Sequence, residues 1–227
     1  MNKINSVLLP GSFFINDYVE KAKKLTSLEI DTIYFYDHTV NPVDKNLEVY
    51  KLIDGLYKLY DIVKNDISLG VCVLNINSRP HQNLFQDYIN KLLDIKNFKL
   101  GVGTGDDKFE KRKNFSNNVE QIINEVKSSK KFASNNTQLF IGGNSKEKLN
   151  FMKKYDLGIN QWMGTKKAFQ EKESTYNKIK HPIGRLSICL NPDNPIIFKS
   201  DLSYEKIFVL KDSNNEIFYK TLDNIFK

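Results

Sequence analysis

The sequence of 227 residues has only two cysteines, one tryptophan and three histidines. Two cysteines cannot build the disulfide framework of a small secreted domain, and Cys72 and Cys189 each lie in an apolar, strand-like run that suits a buried free thiol. No apolar stretch approaches the roughly 18 residues of a membrane-spanning helix. The first residues also lack the length and the small-residue cleavage site of a signal peptide. We therefore expect a cytoplasmic protein that has no membrane partner and folds without disulfides or a metal.

The chain has fewer acidic than basic residues. It contains 27 Asp and Glu and 34 Lys and Arg, which gives a formal net charge of +7. The densest basic clusters, residues 108–113 and 127–131, are not interleaved with the aromatic residues that stack on single-stranded nucleic acid. Lysine and asparagine are abundant throughout the chain, as in many proteins of AT-rich genomes. Compositional drift therefore explains the charge better than a nucleic-acid partner, and a basic nucleic-acid-binding module is the weaker alternative.

Obvious linkers are absent as well. Hydrophobic residues make up 40% of the chain and charged residues 27%, which are ordinary values for a globular protein. A chain of this length fits one domain and buries a sizeable core. We expect residues 1–227 to form a single domain.

Short β-branched or aromatic runs alternate eight times with helical patterns, which is typical of βα units around a parallel sheet. Eight units without a linker favour a compact (β/α)8 TIM barrel of the α/β class, and an open doubly wound sheet is the structural alternative. The connection at residues 191–203 has no strong helical pattern. The predicted strands are 6–9, 32–36, 68–75, 98–102, 138–141, 159–162, 186–190 and 206–210. The predicted helices are 17–28, 47–64, 83–95, 117–128, 146–155, 166–179 and 215–226.

Several short motifs follow the strands in a fixed order. The glycines at 101, 103 and 105 are not a dinucleotide fingerprint, because Asp106 stands where its third glycine would fall and the run follows the fourth strand. The motifs are Asp37-His38, Leu69-Gly70-Val71-Cys72-Val73, Arg79-Pro80-His81, Leu100-Gly101-Val102-Gly103-Thr104-Gly105, Phe140-Ile141-Gly142-Gly143-Asn144-Ser145 and Leu157-Gly158-Ile159-Asn160-Gln161-Trp162-Met163-Gly164-Thr165. Together they resemble the luciferase-like monooxygenase superfamily from about Ser6 to Phe169.

This resemblance implies an oxidoreductase, either a monooxygenase or a reductase, that uses FMN or the deazaflavin coenzyme F-420 on a small organic substrate. The cofactor would serve hydride transfer or oxygen activation. The connection after Gly105 has no room for the long insertion that covers the active site in many relatives. A non-catalytic flavin-binding protein of the same fold is therefore the alternative. The histidine pattern favours the deazaflavin slightly over FMN.

The resemblance also implies two catalytic residues. His38 corresponds to a histidine that lies against the ring and moves a proton near neutral pH. Asp106 stands where members often carry a glutamate as proton donor, although aspartate is one methylene shorter. A structural or solvated histidine and a capping aspartate are the alternative roles. The tryptophan that many deazaflavin members have just after the histidine is absent from this sequence.

By the same resemblance, Asp37 lies beside the cofactor, and Cys72 and Val73 form a non-prolyl cis peptide against its ring. Gly103 and Gly105 let the backbone approach a flat ring closely. We do not expect Cys72 to act as a catalytic thiol, because neither a histidine nor a metal-site spacing accompanies it.

Two loops would hold the phosphate of the cofactor. Gly142 and Gly143 end a strand just before a helix that begins near Ser145, so free amides and the positive helix end face a phosphate. Trp162 and Gly164 occupy the matching loop after the next strand. A glycine turn that serves only the course of the chain is the alternative.

Luciferase relatives often pair through helices beside the early strands. The apolar faces of residues 47–63 and 84–95 could form such a homodimer interface. The alternative is that both faces are buried within the chain itself.

Overall fold

The computed structural model describes residues 4–41, 45–63, 66–104, 115–211 and 214–226. Eight parallel strands close into a barrel in sequence order, and the first strand pairs with the last. This confirms the predicted (β/α)8 barrel and excludes the open doubly wound sheet. The strands are β1 (Ile4–Leu8), β2 (Thr32–Phe35), β3 (Ser68–Asn75), β4 (Lys99–Gly103), β5 (Gln138–Gly142), β6 (Gly158–Trp162), β7 (Leu186–Leu190) and β8 (Glu205–Val209).

Helices surround the barrel and follow most strands. Residues 191–204 contain no helix, as the sequence predicted for the seventh connection. The predicted helix 83–95 begins earlier, at His81, and its middle is π-helical over Leu84–Ile89. The helices are α1 (Tyr18–Thr26), α2 (Leu52–Val63), α3 (His81–Asn83), α4 (Asn90–Leu92), α5 (Phe115–Ser128), α6 (Lys130–Ser134), α7 (Lys146–Tyr155), α8 (Lys166–Tyr176) and α9 (Asn215–Ile225).

The strands are buried on both faces, as expected for a parallel sheet covered by helices. Outward-facing residues such as Ile33, Leu100 and Ile141 pack against the helices in one large cluster. The inward-facing residues form a separate cluster that fills the barrel. Its buried members are Leu8, Tyr34, Tyr36, Cys72, Phe140, Cys189 and Ile207.

The apolar faces that were considered for a dimer pack within the chain's own core. Leu56 and Leu59 of α2 are buried there, together with Leu84 and Leu92 from the segment after β3. The intramolecular alternative therefore holds for these residues, and pairing of two copies stays a prediction. None of the helices within the described ranges is long and apolar enough to cross a membrane.

A charged cluster closes the amino-terminal end of the barrel. The Lys99 ammonium pairs with Asp31 and lies 3.2 Å from Glu205 Oε1, while Arg185 Nη1 lies 2.8 Å from Asp31 Oδ2. Ser6 Oγ donates a hydrogen bond to Glu205 Oε1 at 2.5 Å. These partners come from strands and loops that are far apart in the sequence. The cluster therefore links several strands to one another across the interior of the barrel at this end.

The charges around Asp31 predict a loss of stability in acid. Burial alone raises the pKa of Asp31, but Lys99, Thr32 and Arg185 outweigh it and lower the pKa from 3.8 to about 2. Because the folded pKa lies below the unfolded one, the contribution is complete above pH 4 and disappears as pH falls through 2. We expect urea unfolding to show a loss of about 1–2 kcal/mol over this window. The Asp31→Asn variant should lack this part of the pH dependence, and an unchanged slope would contradict the assignment.

Candidate functional site

The carboxyl ends of the strands carry the predicted site residues, as in other barrels of this kind. Asp37 and His38 directly follow β2, and Asp37 is buried while His38 is half-buried. The Arg79 guanidinium donates to both carboxylate oxygens of Asp37, at 2.7 and 2.9 Å. Asp37 Oδ2 also accepts a hydrogen bond from the backbone N–H of Asn75 at 2.9 Å.

Asp37 thus ties the end of β2 to the segment after β3. The Arg79 guanidinium lies 3.9 Å above the ring of Tyr88, which holds it from the other side. A bidentate pair of this kind fixes both distance and orientation. Protein donors occupy both carboxylate oxygens of Asp37. The role that this arrangement favours for Asp37 is to position the neighbouring His38. Direct contact of Asp37 with a cofactor stays a prediction.

His38 lies at the edge of an aromatic group. Its ring centroid is 5.1 Å from that of Tyr36, and the Tyr36 and Tyr50 centroids are 5.2 Å apart. The backbone N–H of Tyr36 donates to the Tyr50 hydroxyl at 2.9 Å. Gly11 permits this packing, because a Cβ there would lie 2.4 Å from the Tyr36 hydroxyl oxygen. The imidazole is therefore held beside a packed wall formed by β2 and the segment after it.

The third strand changes register where the resemblance placed the ring of the cofactor. The Cys72–Val73 peptide is cis, as expected, and the pairing with β4 shifts between Val71 and Leu74. Both Cys72 and Val73 belong to the cluster inside the barrel. Two consecutive side chains of β3 thus face the interior near the carboxyl end.

Val73 lies between two glycines of the neighbouring strands. A Cβ on Gly103 would come within 2.5 Å of Val73 Cγ2, and a Cβ on Gly142 would come within 2.5 Å of Val73 Cγ1. Larger residues at these two positions would displace the valine. We call Val73, Gly103 and Gly142 the floor of the site. Gly103 and Gly142 place no side chain beside Val73. The floor is therefore an apolar surface that a flat ring can approach closely.

The two thiols lie just below this floor. Cys72 Sγ and Cys189 Sγ are 3.9 Å apart, and Cys189 Sγ donates to Asn160 Oδ1 at 3.6 Å. The contact with Cys189, together with burial, raises the pKa of Cys72 well above its usual range. A neutral buried thiol is a poor nucleophile. That Cys72 is not a catalytic thiol stays a prediction.

Two polar residues at this end of the barrel were not predicted from the sequence as site residues. Asn75 ends β3, Thr104 directly follows the adjacent strand β4, and both are buried. Within the described part of the chain, Asn75 Nδ2 and Thr104 Oγ1 have no hydrogen-bond partner. Buried polar atoms normally have one, so these atoms are suited to contact a ligand. A polar residue at the end of an otherwise apolar strand was the signal that could have revealed them.

The two glycine loops lie side by side, as predicted. Gly143 has φ +119° and Gly164 has φ +91°, a conformation that glycine adopts without strain. Asn144 Nδ2 donates to the Trp162 carbonyl at 3.3 Å and joins the two loops. The Trp162 side chain is 48% exposed. The loops immediately precede α7 and α8, so the positive helix ends lie behind them.

Gly105, Asp106 and the basic cluster at residues 108–113 lie outside the described residues. The structure thus brings His38, Val73, Gly103, Gly142, Gly143, Trp162 and Gly164 to one end of the barrel. The predicted role of Asp106 stays a prediction. The described residues contain no group of three His, Cys, Asp or Glu side chains that could hold a metal ion.

No family model and no curated protein matches the sequence. Among solved structures, one similar fold is the oxygenating constituent of 3,6-diketocamphane monooxygenase from the CAM plasmid of Pseudomonas putida, a type II Baeyer-Villiger monooxygenase in complex with FMN. Its TM-score is 0.60 at 12% identity, over 84% of this chain and 67% of that one. Another is an F420-dependent secondary alcohol dehydrogenase in complex with an F420-acetone adduct, with a TM-score of 0.63 at 12% identity, over 85% of this chain and 71% of that one.

A third similar structure is the tryptophan synthase α subunit of Campylobacter jejuni. It has a TM-score of 0.53 at 11% identity and covers 99% of this chain and 95% of that chain. At such identities structural similarity establishes the fold and leaves the chemistry to the site. The chain therefore has the (β/α)8-barrel fold shared by the FMN-bound monooxygenase and the F420-dependent dehydrogenase, which is the fold expected from its motifs.

Proposed function

We propose that the chain is a luciferase-like oxidoreductase of the cytoplasm that binds FMN or the deazaflavin coenzyme at the carboxyl end of the barrel. Its substrate would be a small organic molecule. The observation that carries the proposal is the floor, where Val73 lies between Gly103 and Gly142. The two similar folds with bound FMN and F420 support it.

The residues at this end fit such a cofactor. The floor offers an apolar surface to one face of a flat ring and excludes water from it. Asn75 Nδ2 and Thr104 Oγ1 are buried polar atoms available to the ring edge. The amides of the Gly143 and Gly164 loops suit a phosphate at the positive ends of α7 and α8.

When bound, the cofactor would supply hydride transfer or oxygen activation. The chain would supply orientation and control of protons. His38 would hold or transfer a proton at its imidazole, as a histidine that acts as general acid or base does. Asp37 and Arg79 would keep the end of β2, and with it His38, in a fixed position.

A non-catalytic flavin-binding protein is the second candidate. The connection between β4 and α5 spans only residues 104–114, so the long insertion that covers the site in many relatives is absent. Turnover separates the two candidates, because both bind the cofactor but only the enzyme consumes a reductant or substrate. Substrate identity depends on loops that differ most among relatives.

The proposal is tested by titrating the purified protein with FMN and with the oxidised deazaflavin coenzyme while following fluorescence. We expect one of the two to bind with a dissociation constant in the micromolar range. The Gly142→Ala variant should bind it about tenfold more weakly, because the new methyl group pushes Val73 toward the ring.

The matched control is the double variant Gly142→Ala with Val73→Ala. Removal of both γ-carbons leaves the Val73 Cβ 3.6 Å from the new methyl group, which is an ordinary contact distance. The double variant should therefore recover affinity relative to the single variant. Failure of both cofactors to bind the unmodified chain would refute the proposed function. Equal affinity of all variants would show that the floor is not part of the binding site.

A further inference from the structure

A buried lysine lies beneath the two glycine loops. Lys172, on α8, is 2% exposed. Its ammonium donates to Gln161 Oε1 at 3.0 Å and to Asn144 Oδ1 at 3.3 Å. Both acceptors are neutral amides, and Lys172 has no ion pair within the described part of the chain. Burial lowers the pKa of Lys172, and the charge of Glu171 opposes this only in part.

A buried cation without a counter-charge is expensive to keep, and proteins rarely retain one without a reason. Asn144 belongs to the first glycine loop, and Gln161 lies in β6 just before the second. Asn144 joins the two loops through its bond to the Trp162 carbonyl, and Gln161 Nε2 donates to the Thr165 carbonyl at 3.3 Å. A Cβ on Gly164 would lie 3.3 Å from Gln161 Nε2. Lys172 thus places its charge one hydrogen bond away from both loops.

A second ammonium approaches the same place from α7. Lys148 is 9% exposed, and a Cβ on Gly143 would lie 2.2 Å from its Nζ. Only a glycine leaves room for the lysine at this point of the loop. The positive ends of α7 and α8 add to the field of the two lysines. The buried charge of Lys172 and the positive ends of the two helices therefore act at the same corner of the barrel end.

We propose that Lys172 supplies the counter-charge for a phosphate group held between the loops at Gly143 and Gly164. Lys172 is a positioning residue, because it acts on the phosphate through Asn144 and Gln161 and through its field. The inference rests on the proposed function, in which the phosphate is that of the cofactor. It adds that this chain selects a phosphorylated ligand by a buried lysine as well as by backbone amides.

The first test measures thermal unfolding in sodium phosphate and in sodium chloride of equal ionic strength. We expect phosphate to raise the Tm of the unmodified chain more than that of Lys172→Met. Phosphate also stabilises proteins by exclusion from their surface, and this general effect is common to all variants. Lys178→Met removes an exposed lysine just beyond the other end of the same helix, so it should keep the full phosphate response.

The second test compares the dissociation constants of the bound cofactor and of the same molecule without its phosphate: FMN with riboflavin, or the deazaflavin coenzyme with its phosphate-free deazariboflavin. Lys172→Met should reduce the preference for the phosphorylated form by about tenfold and leave binding of the phosphate-free form unchanged, while Lys172→Arg should restore most of the preference. A purely structural lysine would weaken both ligands alike, and that result would overturn the proposal.

The outcomes also separate this inference from the proposed function. A phosphate response that needs Lys172, in a chain that binds neither flavin nor deazaflavin, would support the anion site and refute the proposed function. Flavin binding with an identical phosphate response in the unmodified chain and in Lys172→Met would overturn the inference and leave the proposed function intact.

Discussion

Replacement of Lys99 by methionine is expected to lower the free energy of unfolding by about 3–5 kcal/mol, because it leaves the buried Glu205 carboxylate without its ammonium partner. The two side chains are 3% and 1% exposed. Water therefore cannot solvate the remaining charge, and Arg185, the other cation of the cluster, is paired with Asp31. Urea unfolding at pH 7, followed by circular dichroism, measures the loss.

The other partners of Glu205 reduce this cost without removing it. Ser6 Oγ and the Tyr34 hydroxyl both donate to the carboxylate, the latter at 3.2 Å. Burial and the negative charge of Glu205 together raise the pKa of Tyr34 well above its usual range, so it stays a neutral donor. Neutral donors stabilise a buried carboxylate less than an ammonium does.

A double variant provides the control. Lys99→Met combined with Glu205→Gln removes both charges, so it should recover a large part of the lost stability. Lys23→Met removes an exposed lysine, whose pair with Glu20 contributes little, and should cost less than about 1 kcal/mol. If Lys99→Met had the same free energy of unfolding as the unmodified chain, the Lys99–Glu205 pair would not be a major source of stability. The same would follow if the double variant were no more stable than the single one.

The sequence predicted the barrel because local patterns set the order of strands and helices, and because parallel strands in that order can close. The bounds of β3, β7 and α7 agree with the prediction. The π-helical turn of Leu84–Ile89 was not predicted, because its hydrophobic spacing is close to that of an α-helix.

The charged end of the barrel was beyond prediction for a different reason. Lys99 and Glu205 are separated by about half of the chain, and their contact depends on how the strands stagger around the closed barrel. The role of Lys172 could not be predicted either. In the sequence it is one more polar residue of a helix, and only the structure shows its amide partners from β6 and the loop after β5. Asn75 likewise becomes informative only once the strand end that carries it is seen to be buried.

The prediction based on resemblance is confirmed where a motif fixes the backbone. The cis peptide between Cys72 and Val73 is a local feature, and the structure has it. The roles of the side chains at these places depend on a ligand, so they stay predictions. Asp37 shows the difference, because its motif position suggested a cofactor contact while its contacts in the structure are those of a buried ion pair.

If the proposed function is correct, His38→Ala is expected to lower turnover by about a hundredfold to ten-thousandfold, which is the usual contribution of a general acid or base. Cofactor affinity should change by less than tenfold, because the floor and the glycine loops are untouched. Steady-state oxidation or reduction of the cofactor, measured beside the fluorescence titration, separates the two effects.

Several observations support His38 in this role over a structural one. It follows β2 at the end of the barrel where the floor lies, it is half-buried beside Tyr36, and the adjacent Asp37 is anchored by Arg79. The matched control is His181→Ala, which removes an exposed histidine from the segment between α8 and β7 and should leave turnover unchanged. Added imidazole should partly restore the His38 variant, because a small base can replace the missing proton carrier. If His38→Ala kept full turnover, the proton would have to pass through another group, and Asp106, which resembles the proton-donating carboxylate of relatives, would be the next residue to replace.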